Sequence, residues 1–219
     1  MKKVVVFGTR DFAQLALYYF RVDSPYEVAA FTESRDYLGG KTSFEGLPLV
    51  AFEDVETIYP PEQYDFFAPM AASRMNKNRE RIYLAAKQKG YKLVSYVHSS
   101  SIVYDHTIIG ENCFILENNV LQPYTKVGNN VILWCANILG HHAEVGDHVF
   151  MTYAVITGHV KLAPYCFLGV NSSVRECVKL AEGTYVAMNS AIYEDTEPWS
   201  VYRGDAAVKQ DKTSMEMWG

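Results

Sequence analysis

The chain has 219 residues, 49% of them hydrophobic, so it can bury the core of one or two domains. A formal net charge of −5 and the lack of a basic stretch argue against nucleic acids and anionic membranes as partners. The first apolar run is too short for a signal peptide and no run approaches a membrane span, so a cytoplasmic protein is expected.

The first half of the chain alternates predicted strands with predicted helices. Short β-branched and aromatic runs indicate buried strands, and segments with a wide apolar side indicate helices. This order predicts a small Rossmann-like parallel sheet, in which ligands bind beyond the carboxyl ends of the strands. Strands are predicted at 3–7, 26–32, 46–50, 63–69 and 92–96, and helices at 12–20 and 79–89.

The predicted strand ends carry the candidate residues of a nucleotide site. Gly8, Thr9, Arg10 and Asp11 precede a helix, where backbone N–H groups and Arg10 suit a phosphate and Asp11 is a candidate cap. A tight turn made by Gly8 explains this loop equally well. The residues that share the same edge are Glu33 at the ribose position, and Ser73 and Arg74 as phosphate ligands.

Two of these assignments keep an alternative. The loop is not a GxGxxG sequence, so a full NAD site is not supported. Arg74 is explained equally well as a surface charge at the start of a helix.

The second half carries a repeat of six residues, which predicts stacked coils with three sides. Residues 18 apart then stack at strand spacing, about 4.8 Å, and the repeat gives about five coils. An aliphatic residue occurs at Ile109, Ile115, Leu121, Val127, Leu133, Leu139, Val145, Met151, Ile156, Leu162, Leu168, Val174, Leu180, Val186 and Ile192. A compact inward residue follows at Cys113, Asn119, Thr125, Val131, Asn137, Ala143, Val149, Val155, Val160, Cys166, Ser172, Val178, Thr184 and Ser190.

The inward columns make specific predictions. Asn119 and Asn137 should form a hydrogen-bonded asparagine ladder. Cys113 and Cys166 are predicted to be small core residues, and without a CxxC motif neither a disulfide nor a zinc framework is expected.

One step of the repeat, from Met151 to Ile156, is a residue short. Stacking across this step therefore runs at 17 residues, which places Gly158 over His141 and His159 over His142. Both histidines of the first coil should point outward. A solvated surface histidine is the ordinary explanation, but the glycine above leaves space for a narrow ligand.

A zinc enzyme of the γ-class carbonic anhydrase type would also use such a coil. It needs a pair of histidines in an H-x4-H spacing, which neither His141 nor His142 provides, and His148 lies on the next side. No metal is therefore predicted.

The chain resembles the bacterial hexapeptide-repeat, left-handed β-helix acyltransferases with an N-terminal nucleotide-binding domain. It is most similar to the nucleotide-sugar N-acetyltransferases and the sialic-acid O-acetyltransferases. The resemblance extends from the strand and turn at 4–8 to the tail at 204–207, and the segment 138–146 places the family's catalytic histidine at His141, five residues before Gly146. It implies a Rossmann-like domain at 1–98, a left-handed β-helix at 99–200 and a tail at 201–219.

The resemblance also implies a function. His141 is the expected general base with His142 beside it, and Gly158, His159 and Phe150 are the expected contacts of acetyl-CoA or another acyl-CoA. A backbone N–H, with Gly158 as the best choice, is expected to stabilise the oxyanion. The implied protein is a cytoplasmic homotrimer that acylates a UDP- or dTDP-linked aminodeoxysugar for bacterial surface glycans, such as lipopolysaccharide.

Three departures from the family pattern qualify this expectation. The first loop is not the usual glycine-rich type, His142 replaces a commonly acidic residue, and the tail reads 204–207 as Gly-Asp-Ala-Ala. The short step at 151–156 could admit an acyl group other than acetyl. Two alternatives stay open: O-acylation of a sugar hydroxyl, and a non-catalytic scaffold that binds a sugar nucleotide.

Overall fold

The computed structural model describes residues 2–207, 209, 211 and 213–218. Of the predicted segments, Met1 and the tail residues Val208, Gln210, Lys212 and Gly219 lie outside the described residues. No helix in the described part of the chain is long and apolar enough to cross a membrane.

The first part of the chain forms a mainly parallel sheet with helices. Within the described residues the strand order is β3-β4-β2-β1-β5, and only β3 runs antiparallel to its neighbour. The strands are β1 (Lys2–Phe7), β2 (Tyr26–Glu33), β3 (Ser43–Phe44), β4 (Leu47–Ala51) and β5 (Asp65–Phe67). The helices are α1 (Asp11–Val22), α2 (Arg35–Leu38), α3 (Val55–Ile58) and α4 (Lys77–Gln88), with a 3-10 turn at Phe52–Asp54.

Two local predictions in this part are wrong. The predicted strand at 92–96 is reduced to a single bridge between Leu93 and Phe66, because Tyr96 already pairs with the next unit. Asp11 does not cap α1. Arg10 holds the cap position in an extended conformation without a side-chain cap bond, and Asp11 is the first helical residue.

The rest of the chain is a three-sided stack of two-residue parallel strands, which fits the predicted left-handed β-helix. The docking face contains β6 (Tyr96–Val97), β9 (Phe114–Ile115), β12 (Ile132–Leu133), β15 (Phe150–Met151), β18 (Phe167–Leu168), β21 (Tyr185–Val186) and β23 (Val201–Tyr202). The apolar face contains β7 (Ile102–Val103), β10 (Val120–Leu121), β13 (Ile138–Leu139), β16 (Val155–Ile156), β19 (Ser173–Val174) and β22 (Ala191–Ile192). The lysine face contains β8 (Ile108–Ile109), β11 (Lys126–Val127), β14 (Glu144–Val145), β17 (Lys161–Leu162) and β20 (Lys179–Leu180). A short helix, α5 (Ser214–Trp218), follows the stack.

The stack is longer than the predicted five coils. Its faces hold seven, six and five strands in the described part of the chain. The additional strands, β6, β7 and β23, lie outside the aliphatic repeat from Ile109 to Ile192, so counting the repeat missed them.

Each corner of the stack turns through a residue with left-handed backbone. This conformation costs most residues about 1–2 kcal/mol, and asparagine tolerates it best. The non-glycine residues at these corners are His106, Asn112, Asn118, Tyr124, Asn130, Ala136, His142, His148, Tyr153, His159, Tyr165, Asn171, Cys177 and Asn189.

The inward columns follow the sequence prediction closely. Asn119 and Asn137 are fully buried, and Asn137 Nδ2 donates to Asn119 Oδ1 at 2.8 Å, so the asparagine ladder is confirmed. The 17-residue step is also confirmed, since Leu139 pairs with Ile156. The prediction of Val155 as an inward residue is wrong. The missing residue falls in the corner before β16, so Ala154 points inward, its N–H donating to Asn137 Oδ1, and Val155 is exposed.

The N-terminal unit packs on the docking face. The ring of Phe12, from α1, lies 5.3 Å from the ring of Trp134 and 6.5 Å from that of Phe150. Arg79, from α4, is fully buried and donates to the backbone oxygens of Met70 at 3.1 Å, Asn130 at 3.1 Å and His148 at 3.0 Å. One guanidinium thus connects α4 to two successive coils.

Candidate functional site at the His corner

The predicted catalytic residues lie at one corner of the β-helix, between the apolar face and the lysine face. The His corner is defined by residues 140–143 of one coil and 157–160 of the next. His159 N donates to His141 O at 3.0 Å, which holds the two turns in register. His141, His142 and His159 are all exposed, so the predicted outward orientation is confirmed.

A ladder of aromatic rings fixes the position of His142. The rings of His106 and Tyr124 stack at 5.1 Å, those of Tyr124 and His142 at 4.8 Å, and those of His142 and His159 at 4.9 Å. All four residues are corner residues with left-handed backbone. The stacked rings therefore hold His142 at the surface although it is open to solvent.

His141 projects beside this ladder and contacts His142 edge to face. Its Nδ1 lies 3.1 Å from Nδ1 of His142, and its backbone N–H donates to Gln122 Oε1 at 2.9 Å. A proton on His141 Nδ1, donated to His142 Nδ1, leaves His141 Nε2 with a free lone pair. In that tautomer His141 can accept a proton from a substrate, and His142 takes the orienting role that a carboxylate often plays.

Glycines make room for the ring of His141. A Cβ atom on Gly158 would lie 2.7 Å from His141 Cε1 and 2.8 Å from His141 Nε2. The Gly158 N–H donates to no acceptor among the described residues. The equivalent N–H one coil below, that of His141, is bound by the Gln122 side chain, whereas Gly140 offers no side chain to Gly158. A free N–H beside the imidazole suits a developing oxyanion.

Other residues that the sequence singled out lie away from the His corner. Phe150 is buried on the docking face, where its ring stacks on Phe167 at 5.3 Å. Glu144 lies on the lysine face, 3.7 Å from Lys126 Nζ and 3.5 Å from Lys161 Nζ. His148 is buried at a different corner, and this burial lowers its pKa.

The predicted nucleotide residues follow the carboxyl ends of parallel strands. Gly8 follows β1 with φ +110° and donates its N–H to Thr32 O, so this N–H is not free for a phosphate. Thr9 lies next to Arg10 and Asp11, both exposed at the start of α1. The first N–H groups of α1 thus remain the phosphate donors at this edge.

Glu33 ends β2, and its side chain is half-buried. Burial raises the pKa of Glu33, opposed by the hydrogen bond from Ser34 N and by the charge of Arg10. Ser73 and Arg74 are exposed after β5, and Ser73 Oγ accepts a bond from Asn78 Nδ2 at 3.0 Å. Arg74 and the two residues after it have left-handed backbone, so a strained turn leads into α4.

The His corner and the nucleotide edge do not meet within one chain. The N-terminal unit covers the docking face, and the His corner is the corner opposite that face of a three-sided stack. A substrate held at the nucleotide edge would therefore have to reach the His corner of another copy.

Sequence reasoning missed Gln122 and Tyr124 as supports of the two histidines. Tyr124 lies 18 residues before His142, so the column rule already places it below that ring. Gln122 was not predictable in this way, because it reaches diagonally to a residue 19 positions ahead.

Three solved structures similar to this chain are of bacterial proteins. The acetyltransferase domain of PglB from Neisseria gonorrhoeae FA1090 is 20% identical, with a TM-score of 0.78, covering 93% of this chain and 97% of that chain. PerB from Caulobacter crescentus, in complex with CoA and GDP-perosamine, is 19% identical, with a TM-score of 0.82, covering 93% and 95%. WeeI from Acinetobacter baumannii AYE is 17% identical, with a TM-score of 0.77, covering 93% and 97%.

The chain has the fold of these three proteins. At this level of identity the likeness concerns the fold, and residue roles depend on the site itself. No protein-family model matches the sequence, and no curated protein matches it at a significant level.

Proposed function

We propose that the chain is an acyl-CoA-dependent N-acyltransferase, most simply an N-acetyltransferase, that acts on the amino group of a nucleotide-linked aminodeoxysugar. The observation that carries this proposal is the pairing of His141 with His142 beside Gly158. It supplies an oriented base next to a free backbone N–H. The similarity in fold to an acetyltransferase domain and to a protein solved with CoA and a sugar nucleotide supports the same reaction.

The reaction needs one base and one oxyanion donor. The lone pair of the neutral amine adds to the thioester carbonyl, forming the N–C bond, while an amine proton moves to His141 Nε2. The Gly158 N–H donates to the oxyanion of the tetrahedral intermediate. Collapse of this intermediate breaks the C–S bond, and His141 returns the proton to the CoA sulfur.

The acyl-CoA is proposed to lie along the His corner, against Gly158 and His159. The adjoining lysine face forms an open groove with Lys126, Lys161 and Lys179, of which Glu144 contacts the first two. The excess of positive charge suits the phosphates of CoA. Phe150 is better explained by packing, because it lies on the docking face.

The sugar nucleotide is proposed to bind at the carboxyl edge of a Rossmann-like domain, residues 1–98. The start of α1 and Arg10 would hold the diphosphate, with Ser73 and Arg74 nearby and Glu33 at the ribose. The β-helix at 99–200 and the tail at 201–219 complete this division. UDP and dTDP are the expected carriers, and the complex of PerB with GDP-perosamine adds GDP to those worth testing.

A homotrimer would bring the two half-sites together. The separation of the nucleotide edge from the His corner supports an assembly in which neighbouring copies complete each site. The apolar face carries the exposed side chains of Ile102, Ile138 and Val155, which suits contact with another copy. We place this assembly in the bacterial cytoplasm, where nucleotide sugars for lipopolysaccharide and other surface glycans are made.

The test is a mass-spectrometric screen of UDP-, dTDP- and GDP-linked aminodeoxysugars against several acyl-CoAs. We expect one pair to give a product heavier by the acyl group, and His141→Asn or His141→Ala to lower kcat by about 10²–10⁴-fold. A perosamine N-acetyltransferase from Caulobacter crescentus has been solved with a histidine replaced by asparagine. Full turnover by a folded His141→Ala variant would exclude His141 as the base. Failure to bind any CoA thioester would favour the scaffold alternative, and a product on a hydroxyl would establish O-acylation.

A further inference from the structure

The His corner brings together three histidines from two coils. One ring nitrogen of each of His141, His142 and His159 lies within 4.8 Å of those of the other two, and all three residues are exposed. The rings of His141 and His142 are nearly perpendicular, at 86°, and so are those of His141 and His159, at 84°. We propose that these three side chains bind a divalent transition-metal cation of the zinc class.

The geometry suits such a cation. A tetrahedral zinc ion with Zn–N bonds of about 2.1 Å needs ligand nitrogens about 3.4 Å apart. The Nδ1 atoms of His141 and His142 are already 3.1 Å apart, so their lone pairs can meet at one point. His159 needs only a small side-chain rotation, and as an exposed side chain it is free to make it. The fourth position stays open to water, as in three-histidine sites generally.

The absence of an H-x4-H pair does not exclude this site. That spacing describes ligands on adjacent turns of a regular repeat. Here the ligands come from neighbouring residues, 141 and 142, and from a third residue 17 positions later that the short step places directly above. The site therefore depends on the irregular step of the repeat.

Metal binding has a direct chemical consequence for His141. A metal on Nδ1 requires the single proton of the neutral imidazole to be on Nε2. This is the opposite tautomer to the one in which Nε2 accepts the amine proton. The bound cation would therefore inhibit acyl transfer reversibly. This consequence rests on the proposed function, whereas the binding itself does not.

Binding is tested without any activity measurement. Chelator-treated protein is titrated with ZnCl2 by calorimetry and with CoCl2 by visible absorption, in a Cys177→Ser background that removes an exposed thiol. We expect one equivalent of zinc per chain and a tetrahedral cobalt spectrum. His142→Gln and His159→Gln should each weaken zinc binding at least tenfold. The matched control is His106→Gln, a histidine at the same corner in the same ring ladder but outside the cluster, which should bind zinc as the parent does.

The outcomes separate binding from catalysis. Equal zinc affinity in the parent, His142→Gln and His159→Gln proteins, or no binding below about 100 μM zinc (about 5.5 kcal/mol), overturns the metal site. If zinc binds as expected but no acyltransfer is found with any substrate, the metal site stands and the proposed function fails. If both exist, the rate of the His106→Gln protein should fall with zinc as the parent's does, and the chelator should restore it. Zinc-insensitive turnover at full occupancy overturns the tautomer argument.

Discussion

The ring of His141 fills the space that any side chain on Gly158 would need, although the two residues lie 17 positions apart in the chain. A Cβ at Gly158 would stand 2.7 Å from Cε1 and 2.8 Å from Nε2 of the imidazole. Since the imidazole is an exposed side chain, it can rotate away at little cost. Gly158→Ala should therefore leave the melting temperature nearly unchanged but lower kcat about 10²-fold, because a displacement of about 1 Å can cost that much.

A double-mutant cycle shows whether Gly158 acts through His141. In a His141→Ala background the ring is gone, so Gly158→Ala should cause little further loss. An equal loss in both backgrounds would mean that the glycine contributes separately, for instance through its N–H.

His142 is predicted to orient His141 through its Nδ1 lone pair, whereas its ring stack is structural. Two substitutions separate these roles. His142→Asn keeps an acceptor and suits the left-handed backbone, with φ +59°, but loses the stack on Tyr124 and His159. His142→Phe keeps a ring in the stack and removes the acceptor. We expect the asparagine variant to retain more activity, with kcat of the phenylalanine variant lower by about tenfold or more (at least ~1.4 kcal/mol).

The control for this pair is KM for the acyl-CoA together with thermal stability. If the phenylalanine variant is as active as the parent protein, His142 does not set the tautomer of His141.

The sequence predicted the site better than its surroundings, for a physical reason. Stacking depends only on the length of the repeat, so the single short step sufficed to place Gly158 and His159 over His141 and His142. The position of that step within its corner was not determined by the aliphatic residues, and Val155 was consequently assigned to the core in place of Ala154. Errors of this kind arise wherever a long-range contact decides.

His148 illustrates the same limit from another side. It shares its repeat position with His142, yet it is buried at 7% exposure because α4 packs over its corner. The Arg79 side chain that makes this contact lies 69 residues earlier in the chain. No periodic pattern reports which corner a separate unit will cover.

Arg79 is predicted to be the main polar support between α4 and the β-helix. Arg79→Met should leave the backbone oxygens of Met70, Asn130 and His148 without their donor, and hydrogen bonds to a charged group are worth about 1.5–3 kcal/mol each. We expect a loss of about 3 kcal/mol or more in the free energy of unfolding, measured by urea denaturation. The matched control is Arg81→Met on the same helix. A loss no larger than that of the control would mean that apolar packing alone holds the two units.

Asp23 gives the two units a pH-dependent connection. Its carboxylate accepts from Ser99 N at 2.7 Å and from Tyr96 Oη at 2.9 Å, both at the start of the β-helix. The bond from Ser99 N is the largest cause of the lowered pKa of Asp23, and the bond from Tyr96 acts in the same direction. Because the folded pKa lies below the unfolded value, about 3.9, this group stabilises the fold above that pH. The stabilisation is lost as pH falls through the folded pKa.

Asp23→Asn should therefore lower the melting temperature at pH 7, and the difference from the parent protein should shrink between about pH 5 and pH 3. Melting temperatures of both proteins across this range provide the measurement. The carboxamide can still accept a hydrogen bond, so the comparison isolates the charge. A difference that stays constant down to pH 3 would show that the bonds of Asp23 do not depend on its ionisation.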